Sequence, residues 1–241
     1  MRRLLAASAA LLVLAGCSAG PERPAQDPPG PSAPPAEPAP PPPPPAAPPS
    51  TVPPPPPPTE SVGPPERSRS RALGLPFRRG RLIGGVPFPR AGIDHFTWDP
   101  VYDRSPNRLW RRYGTDRTVA RTLAALRAFR EAYPESPPVG VGDLSRPSGG
   151  DFGRRFGGLG HASHQNGLDV DVYYPRLDRQ LVAATRPDQV DRVLAQGLVD
   201  AFVDAGAVSV FVGPSLRLRG PRGVVSALRH HDDHLHARFP R

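Results

Sequence analysis

The chain has 241 residues, with 38 prolines, a single cysteine and a formal net charge of +9, and all of its 31 basic residues are arginines. Without lysine it cannot contain the Ser-x-x-Lys acylating serine of penicillin-binding proteins, and one cysteine cannot form a disulfide within the chain. No glutamate follows Glu135. This excludes a His-Glu-x-x-His zinc protease or a glutamate-dependent glycosidase in the C-terminal part of the chain.

The N-terminus is typical of an export signal. A basic start is followed by an apolar run over residues 4–14, which is too short to remain as a membrane-spanning helix. The Leu-Ala-Gly-Cys sequence ending at Cys17 resembles a bacterial lipobox. We therefore predict a lipoprotein signal peptide at residues 1–16 and a lipid on Cys17 that anchors the exported chain to the membrane, facing the cell wall. The alternative is an ordinary signal peptide with an unmodified cysteine.

Composition divides the rest of the chain in two. Residues 17–72 are mostly Pro, Ala, Ser and Glu, a composition that cannot bury a core, so we predict a lipidated N-terminus followed by a disordered linker. Residues 73–241 have the composition and length of one globular domain. Export from the cytoplasm argues against nucleic acid as the partner of this basic chain.

Hydrophobic periodicity predicts an α+β fold for this domain. Apolar residues recur at intervals of three and four in two segments, and we expect helices at residues 115–133 and 187–205. Short alternating segments predict strands at residues 139–143, 168–173, 208–212 and 234–239. Because these elements do not alternate strictly, we expect a small antiparallel sheet with the helices packed to one side.

The first histidine cluster immediately precedes a predicted strand. His161 and His164 come before a glycine, Gly167, that permits a tight turn, and the strand then presents Asp169 and Asp171 on one face. A histidine and an aspartate arranged in this way can converge on one ion. Asp169 can instead orient a ligand histidine, or it can simply be solvated on the polar face of the strand.

The second cluster holds four of the seven histidines, His230, His231, His234 and His236, within seven residues. In a strand, His234 and His236 point the same way. They can share one ion, or one of them can bind it while the other transfers protons. Because neutral imidazole nitrogens are good ligands for zinc, two such clusters in one small domain predict a single Zn²⁺ centre.

The two motifs, Gly160-His-Ala-Ser-His164 with Gly167-Leu-Asp-Val-Asp171 and His231-Asp-Asp-His234-Leu-His236, resemble those of the penicillin-insensitive murein endopeptidases. That family belongs to the zinc peptidases that share a fold with lysostaphin, D-alanyl-D-alanine peptidases and hedgehog. By position, the resemblance implies three metal ligands, a general base and two further site histidines. The metal ligands would be His164, Asp171 and His236, and the general base would be His234. The two further site histidines would be His161 and His231.

The same resemblance implies a substrate, peptidoglycan, and a reaction. A metal-activated water would hydrolyse peptide crosslinks between D-alanine and meso-diaminopimelate. Arg146 and Arg238 are potential clamps for a substrate carboxylate; the alternative is that both are ordinary surface arginines. Two other functions remain open: a zinc-stabilised module that binds the wall without turnover, and a D,D-carboxypeptidase with the same metal shell.

Overall fold

The structure is a computed structural model, and it describes residues 68–156 and 161–241. The predicted signal peptide, the lipid-bearing Cys17 and the linker up to residue 67 lie outside the described residues, as does Gly160 of the first motif. Strand β1 (Arg71–Leu75) crosses the domain boundary predicted between residues 72 and 73. Ser68, just before β1, donates a hydrogen bond to the Asp116 carboxylate at 2.5 Å.

The described residues form two α-helices and ten strands, besides three 3-10 turns of three residues each. In chain order these are β1 (Arg71–Leu75), β2 (Arg78–Ile83), β3 (Val86–Pro87), β4 (His95–Thr97), β5 (Tyr113–Gly114), α1 (Asp116–Ala132), β6 (Val139–Val141), β7 (Asp169–Tyr173), α2 (Arg192–Asp204), β8 (Ser209–Val212), β9 (Val225–Ala227) and β10 (His234–Arg238).

Both predicted helices are present, but one begins later than expected. Helix α1 begins after Thr115, whose hydroxyl accepts a hydrogen bond from the Thr118 backbone N–H. Helix α2 was predicted from residue 187 but begins at Arg192, because Asp191 caps the helix and Val190 before it is extended. Because Val190 is buried and apolar, it fits the helical spacing of the sequence although its backbone is not helical. In the described part of the chain, neither helix is long and apolar enough to cross a bilayer.

Six strands form the central sheet in the order β4-β6-β7-β10-β8-β9. The four inner strands pair antiparallel with one another, as predicted, but the edge strands β4 and β9 pair parallel with β6 and β8. Parallel neighbours need a long crossover connection, which α1 lies within for β4 and β6. The α+β class is confirmed, and the sheet is mixed rather than wholly antiparallel. The three-residue strands β4 and β9 are too short to give a period-two signal.

Alternation along the inner strands separates an apolar face from a polar one. Val170, Val172, Leu235 and Ala237 are fully buried in the main hydrophobic cluster, together with side chains of both helices such as Phe129 of α1. This confirms that the helices cover one side of the sheet. The other face of β7 and β10 is therefore left for the polar residues of the two sequence motifs.

His95 lies far along the chain from both motifs and is buried in β4, with 4% of its surface exposed. One ring nitrogen is 3.4 Å from the Pro89 carbonyl oxygen, and the ring packs edge-on against Phe88. Burial lowers the pKa of His95 from 6.5 to about 4. The folded state therefore holds this ring neutral over a pH range in which the unfolded chain protonates it.

Replacing His95 by Asn is expected to remove a pH-dependent part of the stability. Because the folded pKa of His95 lies below the unfolded pKa, its contribution is complete above pH 6.5 and is lost as the pH falls towards 4. The wild-type free energy of unfolding should fall by up to about 3 kcal/mol more than that of the variant over this interval. Urea denaturation of both proteins at pH 7 and pH 4.5, with chelator present, measures the difference.

The matched control is His230→Asn, which changes an exposed histidine in the same way. Its unfolding free energy should follow the wild-type pH dependence. Parallel pH profiles for the wild type and His95→Asn would contradict this account of the buried imidazole.

Candidate metal centre

The pairing of β7 with β10 brings the two sequence motifs together. Asp171 lies directly opposite His236 in this antiparallel pair, and Asp169 lies opposite Arg238. Asp169, Asp171 and His236 are each less than 10% exposed. Strand pairing thus places two of the predicted ligands, Asp171 and His236, side by side on the sheet face away from the helices.

The third predicted ligand, His164, comes from the loop before β7 and is 1% exposed. Its backbone adopts φ +65°, which is uncommon for a residue with a side chain. The His164 backbone N–H donates to Asp169 Oδ2 at 3.1 Å, which holds this conformation. Gly167 makes the predicted turn with φ +76°, where an added Cβ would lie 2.9 Å from Leu82. The loop therefore folds back and turns the His164 ring towards the strands.

One atom from each of the three residues meets in a small triangle. His164 Nε2 is 3.1 Å from His236 Nδ1 and 3.2 Å from Asp171 Oδ1, and His236 Nδ1 is 3.1 Å from Asp171 Oδ1. Ligands at tetrahedral zinc distances are separated by about 3.3 Å along each edge. The three donor atoms are thus spaced as one face of a zinc coordination tetrahedron.

Hydrogen bonds on the far side of each ring orient the lone pairs inward. The Leu144 carbonyl accepts from His164 Nδ1–H at 2.6 Å, so Nε2 carries the lone pair. The Asp169 carboxylate accepts from His236 Nε2–H at 3.1 Å, which directs Nδ1 of that ring into the triangle. Asp171 Oδ1 is buried and has no hydrogen-bond partner within residues 68–156 and 161–241. Two nitrogens and one oxygen with these orientations fit a divalent cation of the zinc type.

Charges around the triangle favour a cation. Burial works against ionisation of Asp171, but the neighbouring His164 and His234 hold the pKa of its carboxyl well below the usual value. Burial similarly opposes protonation of His236, yet Asp169 and Asp171 raise its pKa to about 9. A proton on His236 Nδ1 can satisfy only one of the three contacts, whereas a divalent cation satisfies all three.

Asp169 supports His236 from behind and is not a solvated residue of the strand face. It is fully buried and accepts hydrogen bonds from His236 and from Arg238 Nε, the latter at 2.6 Å. Burial raises the pKa of Asp169, but these partners outweigh burial and the net shift is downward. The structure thus places Arg238, a predicted substrate clamp, on Asp169. A contact of Arg238 with substrate stays a prediction.

His234, the predicted general base, lies beside the triangle on the same strand as His236. Its Nδ1–H donates to Asp233 Oδ1 at 2.7 Å, and its Nε2 lies 3.8 Å from Asp171 Oδ1. Burial lowers the pKa of His234, but the charge of Asp171 and the hydrogen bond to Asp233 raise it overall. Asp232 instead accepts hydrogen bonds from the backbone and hydroxyl of Ser215 and shapes the turn.

His161 is held at the site by Asp143, which forms a buried ion pair with Arg111 that the sequence did not indicate. Its Nε2–H donates to Asp143 Oδ2 at 2.7 Å, while its Nδ1 lies 3.7 Å from Asp171 Oδ2. Asp143 is also bound by Arg111, whose Nε donates at 2.7 Å, and by the Asn107 amide. His161, His164 and Asp171 each offer a ligand atom, all within 4.8 Å of one another.

His231 lies at the other side of the site. Its Nδ1–H donates to the Arg229 carbonyl at 2.8 Å, and its ring centroid is 4.8 Å from that of His234. Burial lowers the pKa of His231. The six site residues predicted as ligands or catalytic histidines therefore lie together, while the neighbouring His230 is exposed.

Arg146, the other predicted clamp, contacts the loop that precedes His161. Its Nη1 donates to the Asp151 carbonyl at 3.0 Å, and its guanidinium carbon lies 3.8 Å from the Phe156 ring centroid. A substrate contact of Arg146 stays a prediction.

Two aromatic residues at the site were missed by the sequence reasoning. Phe152 packs edge-on against His161 and His164, with centroid distances of 5.3 Å and 6.3 Å. Tyr173 follows Asp171 by two residues on β7 and packs against His234 at 5.8 Å. Its pKa is raised well above the usual value by burial and by the charges of nearby aspartates, Asp171 first among them. Strand alternation would have identified Tyr173, but no local pattern indicates Phe152.

Comparison with known proteins agrees with this geometry. A profile of the family described as penicillin-insensitive murein endopeptidase matches residues 76–204. These residues include His161, His164 and Asp171. The second histidine segment lies beyond them, and its place in the site rests on the pairing of β10 with β7.

Individual relatives carry the same description, penicillin-insensitive murein endopeptidase. A protein of Pectobacterium atrosepticum is 27% identical over 66% of this chain and 57% of its own length. One of Yersinia enterocolitica is 29% identical over 57% of this chain and 46% of its own length. One of Escherichia coli O157:H7 is 44% identical over 24% of this chain and 20% of its own length. The chain thus spans about half the length of the first two relatives.

The Asp169–His236 hydrogen bond predicts a measurable effect on metal affinity. Replacing Asp169 by Asn removes the charged acceptor behind His236, and the affinity for Zn²⁺ should fall by about 10- to 100-fold. Competition with a zinc-binding dye measures this affinity, and circular dichroism checks that the variant folds. Asp232→Asn, which alters a turn aspartate outside the triangle, should leave the affinity unchanged. Equal zinc affinities for Asp169→Asn and the wild type would contradict a role for Asp169 in orienting His236.

Proposed function

Because this chain belongs to the penicillin-insensitive murein endopeptidase family, we propose that it is a zinc-dependent endopeptidase that hydrolyses peptide crosslinks of peptidoglycan. The bond we assign is that between D-alanine and meso-diaminopimelate, and the water attacks without a covalent enzyme intermediate. The observation that carries the proposal is the triangle formed by His164 Nε2, His236 Nδ1 and Asp171 Oδ1, with edges of 3.1–3.2 Å.

Three residues with converging lone pairs would hold one zinc ion and leave a coordination position for solvent or substrate. A bound zinc ion would polarise the scissile carbonyl and lower the pKa of the attacking water. The next ring nitrogens, those of His161 and His234, are 3.7 Å and 3.8 Å from the Asp171 oxygens. These distances are longer than the 3.1–3.2 Å edges of the triangle. This supports roles for both histidines in acting on water and substrate rather than as metal ligands.

His234 is our general base. The Asp233 carboxylate holds its Nδ1–H, so Nε2 is free to accept a proton on the side of Asp171. Nε2 takes a proton from the water as oxygen bonds to the carbonyl carbon, and it returns that proton to the leaving nitrogen as the C–N bond breaks. No glutamate follows Glu135, which agrees with a histidine in this role.

His161 and His231 flank the reacting groups from opposite sides. His161 is fixed through Asp143 and Arg111, and His231 through the Arg229 carbonyl. We assign to both the orientation of the substrate carbonyl and stabilisation of the charge that develops on its oxygen. Because no serine ester forms in this mechanism, β-lactams have no acylation target here.

The location we propose follows from the N-terminal residues. A lipid on Cys17 would anchor the protein to the membrane, and residues 17–72 would allow the domain to reach the wall. Arginines make the chain strongly basic, which suits an anionic wall substrate.

Digestion of purified sacculi tests the activity. With the zinc-loaded full chain, mass analysis should show crosslinked muropeptide dimers converted into monomers with intact stems. A D,D-carboxypeptidase would instead shorten monomer stems by one D-alanine. Zinc binding without any change in muropeptides would identify a wall-binding module and overturn the proposed function.

His234→Ala tests the assigned base. Loss of general-base catalysis should reduce dimer cleavage by about 100-fold or more, while zinc content stays at the wild-type level because His234 is not a ligand in this assignment. His230→Asn, an exposed change four residues away, should cleave at the wild-type rate. If His234→Ala loses its zinc along with its activity, His234 is a ligand and the assignment is wrong.

A further inference from the structure

We propose that Tyr173 is a further catalytic residue of this site, whose hydroxyl donates a hydrogen bond to the scissile carbonyl oxygen as that oxygen becomes negatively charged. The inference rests on the proposed function and adds a neutral O–H donor beside the histidines and aspartates of the site.

The position of Tyr173 follows from strand geometry. It is the third residue of β7 on the face that carries Asp169 and Asp171, and it lies directly opposite His234 of β10. The centroids of the Tyr173 and His234 rings are 5.8 Å apart. Tyr173 therefore borders the proposed base on one side and Asp171 on the other.

Gly142 provides the space in which the ring lies. A Cβ added at Gly142 would be 3.0 Å from Tyr173 Cε2 and 3.3 Å from Asp171 Cβ. The ring also packs against Trp98 and Ala183 and is 7% exposed. A ring enclosed in this way is held in one orientation before substrate binds, which a donor needs in order to stabilise a transition state.

The hydroxyl is available to a ligand. In the described part of the chain it makes no hydrogen bond with a side chain or the backbone, and it is not among the fully enclosed polar atoms. Because the ring lies beside His234 on the strand face that carries Asp171, we assign the hydroxyl to the site, where a phenol is an O–H donor at neutral pH.

The chemistry requires no proton from Tyr173. As the water oxygen bonds to the carbonyl carbon, the carbonyl π electrons move onto the oxygen, and the hydrogen bond from Tyr173 strengthens with that charge. When the C–N bond breaks, the electron pair returns to the carbonyl and the amine takes its proton from His234. The products are an amine and a carboxylic acid, which releases its remaining proton to solvent, and Tyr173 keeps its hydrogen throughout.

Tyr173→Phe tests this inference because it removes one oxygen and leaves the packed ring. Steady-state kinetics of the zinc-loaded full chain on a purified crosslinked muropeptide dimer should show kcat reduced by about 10- to 100-fold, the effect of losing one hydrogen bond to a charged group. KM, zinc content and melting temperature should stay close to those of the wild type. The affinity for a phosphinate dipeptide, which carries a tetrahedral anion in place of the scissile amide, should fall by a similar factor.

Tyr174→Phe is the matched control. It removes the same atom from the adjacent residue, which directly follows β7 and lies in the main hydrophobic core. This variant should match the wild type in kcat and in phosphinate affinity, which separates loss of a catalytic donor from the effect of any Tyr-to-Phe change at this end of β7.

The outcomes distinguish the inference from the proposed function. If the wild type cleaves the dimer and Tyr173→Phe matches it in kcat and phosphinate affinity, the inference is overturned and the function stands. If Tyr173→Phe loses zinc or melting temperature in step with activity, the residue is structural and the inference is again overturned. If the wild type cleaves no dimer, the proposed function fails and the inference fails with it.

Discussion

Three lone pairs converge on one point in this fold, and that convergence constrains everything around it. Two imidazole nitrogens and a carboxylate oxygen at 3.1–3.2 Å would repel each other without a positive charge between them. Hydrogen bonds to the opposite nitrogen of each imidazole ring hold the two histidines in this arrangement. The Leu144 carbonyl holds His164, and Asp169 holds His236 while Arg238 balances its charge. The left-handed backbone conformation of His164 also costs free energy. It is stabilised by the hydrogen bond that its N–H donates to Asp169.

The two faces of the sheet separate stability from chemistry. On one face, fully buried residues such as Val170 and Leu235 pack with the helices and supply the hydrophobic stabilisation. On the other face, Asp169 and Asp171 are equally removed from water, and each depends on positively charged or hydrogen-bonding partners. A rigid apolar layer beneath the polar residues keeps their spacing within the tolerance that metal binding needs.

Local sequence patterns were sufficient for part of this architecture. Period-two alternation correctly put Asp169 with Asp171, and His234 with His236, on one strand face, and the apolar intervals located both helices. The family resemblance then brought the two segments to one centre. What could not be predicted depends on contacts between residues distant in the chain. Arg111 reaches Asp143 across 32 positions, and a backbone carbonyl at Leu144 orients His164. The predicted start of helix α2 was too early, because the buried but extended Val190 fits the same apolar spacing as the helix.

The opposition of Asp171 and His236 across β7 and β10 has a consequence for assembly of the domain. Because side chains alternate with a period of two, shifting β10 by one residue against β7 would turn His234 and His236 towards the hydrophobic core. The same shift would place Leu235 and Ala237 on the polar face of the sheet. Intermediate arrangements with a few of the donors in place are therefore disfavoured. In the zinc enzyme that we propose, binding of the ion would therefore require the correct pairing of β7 with β10.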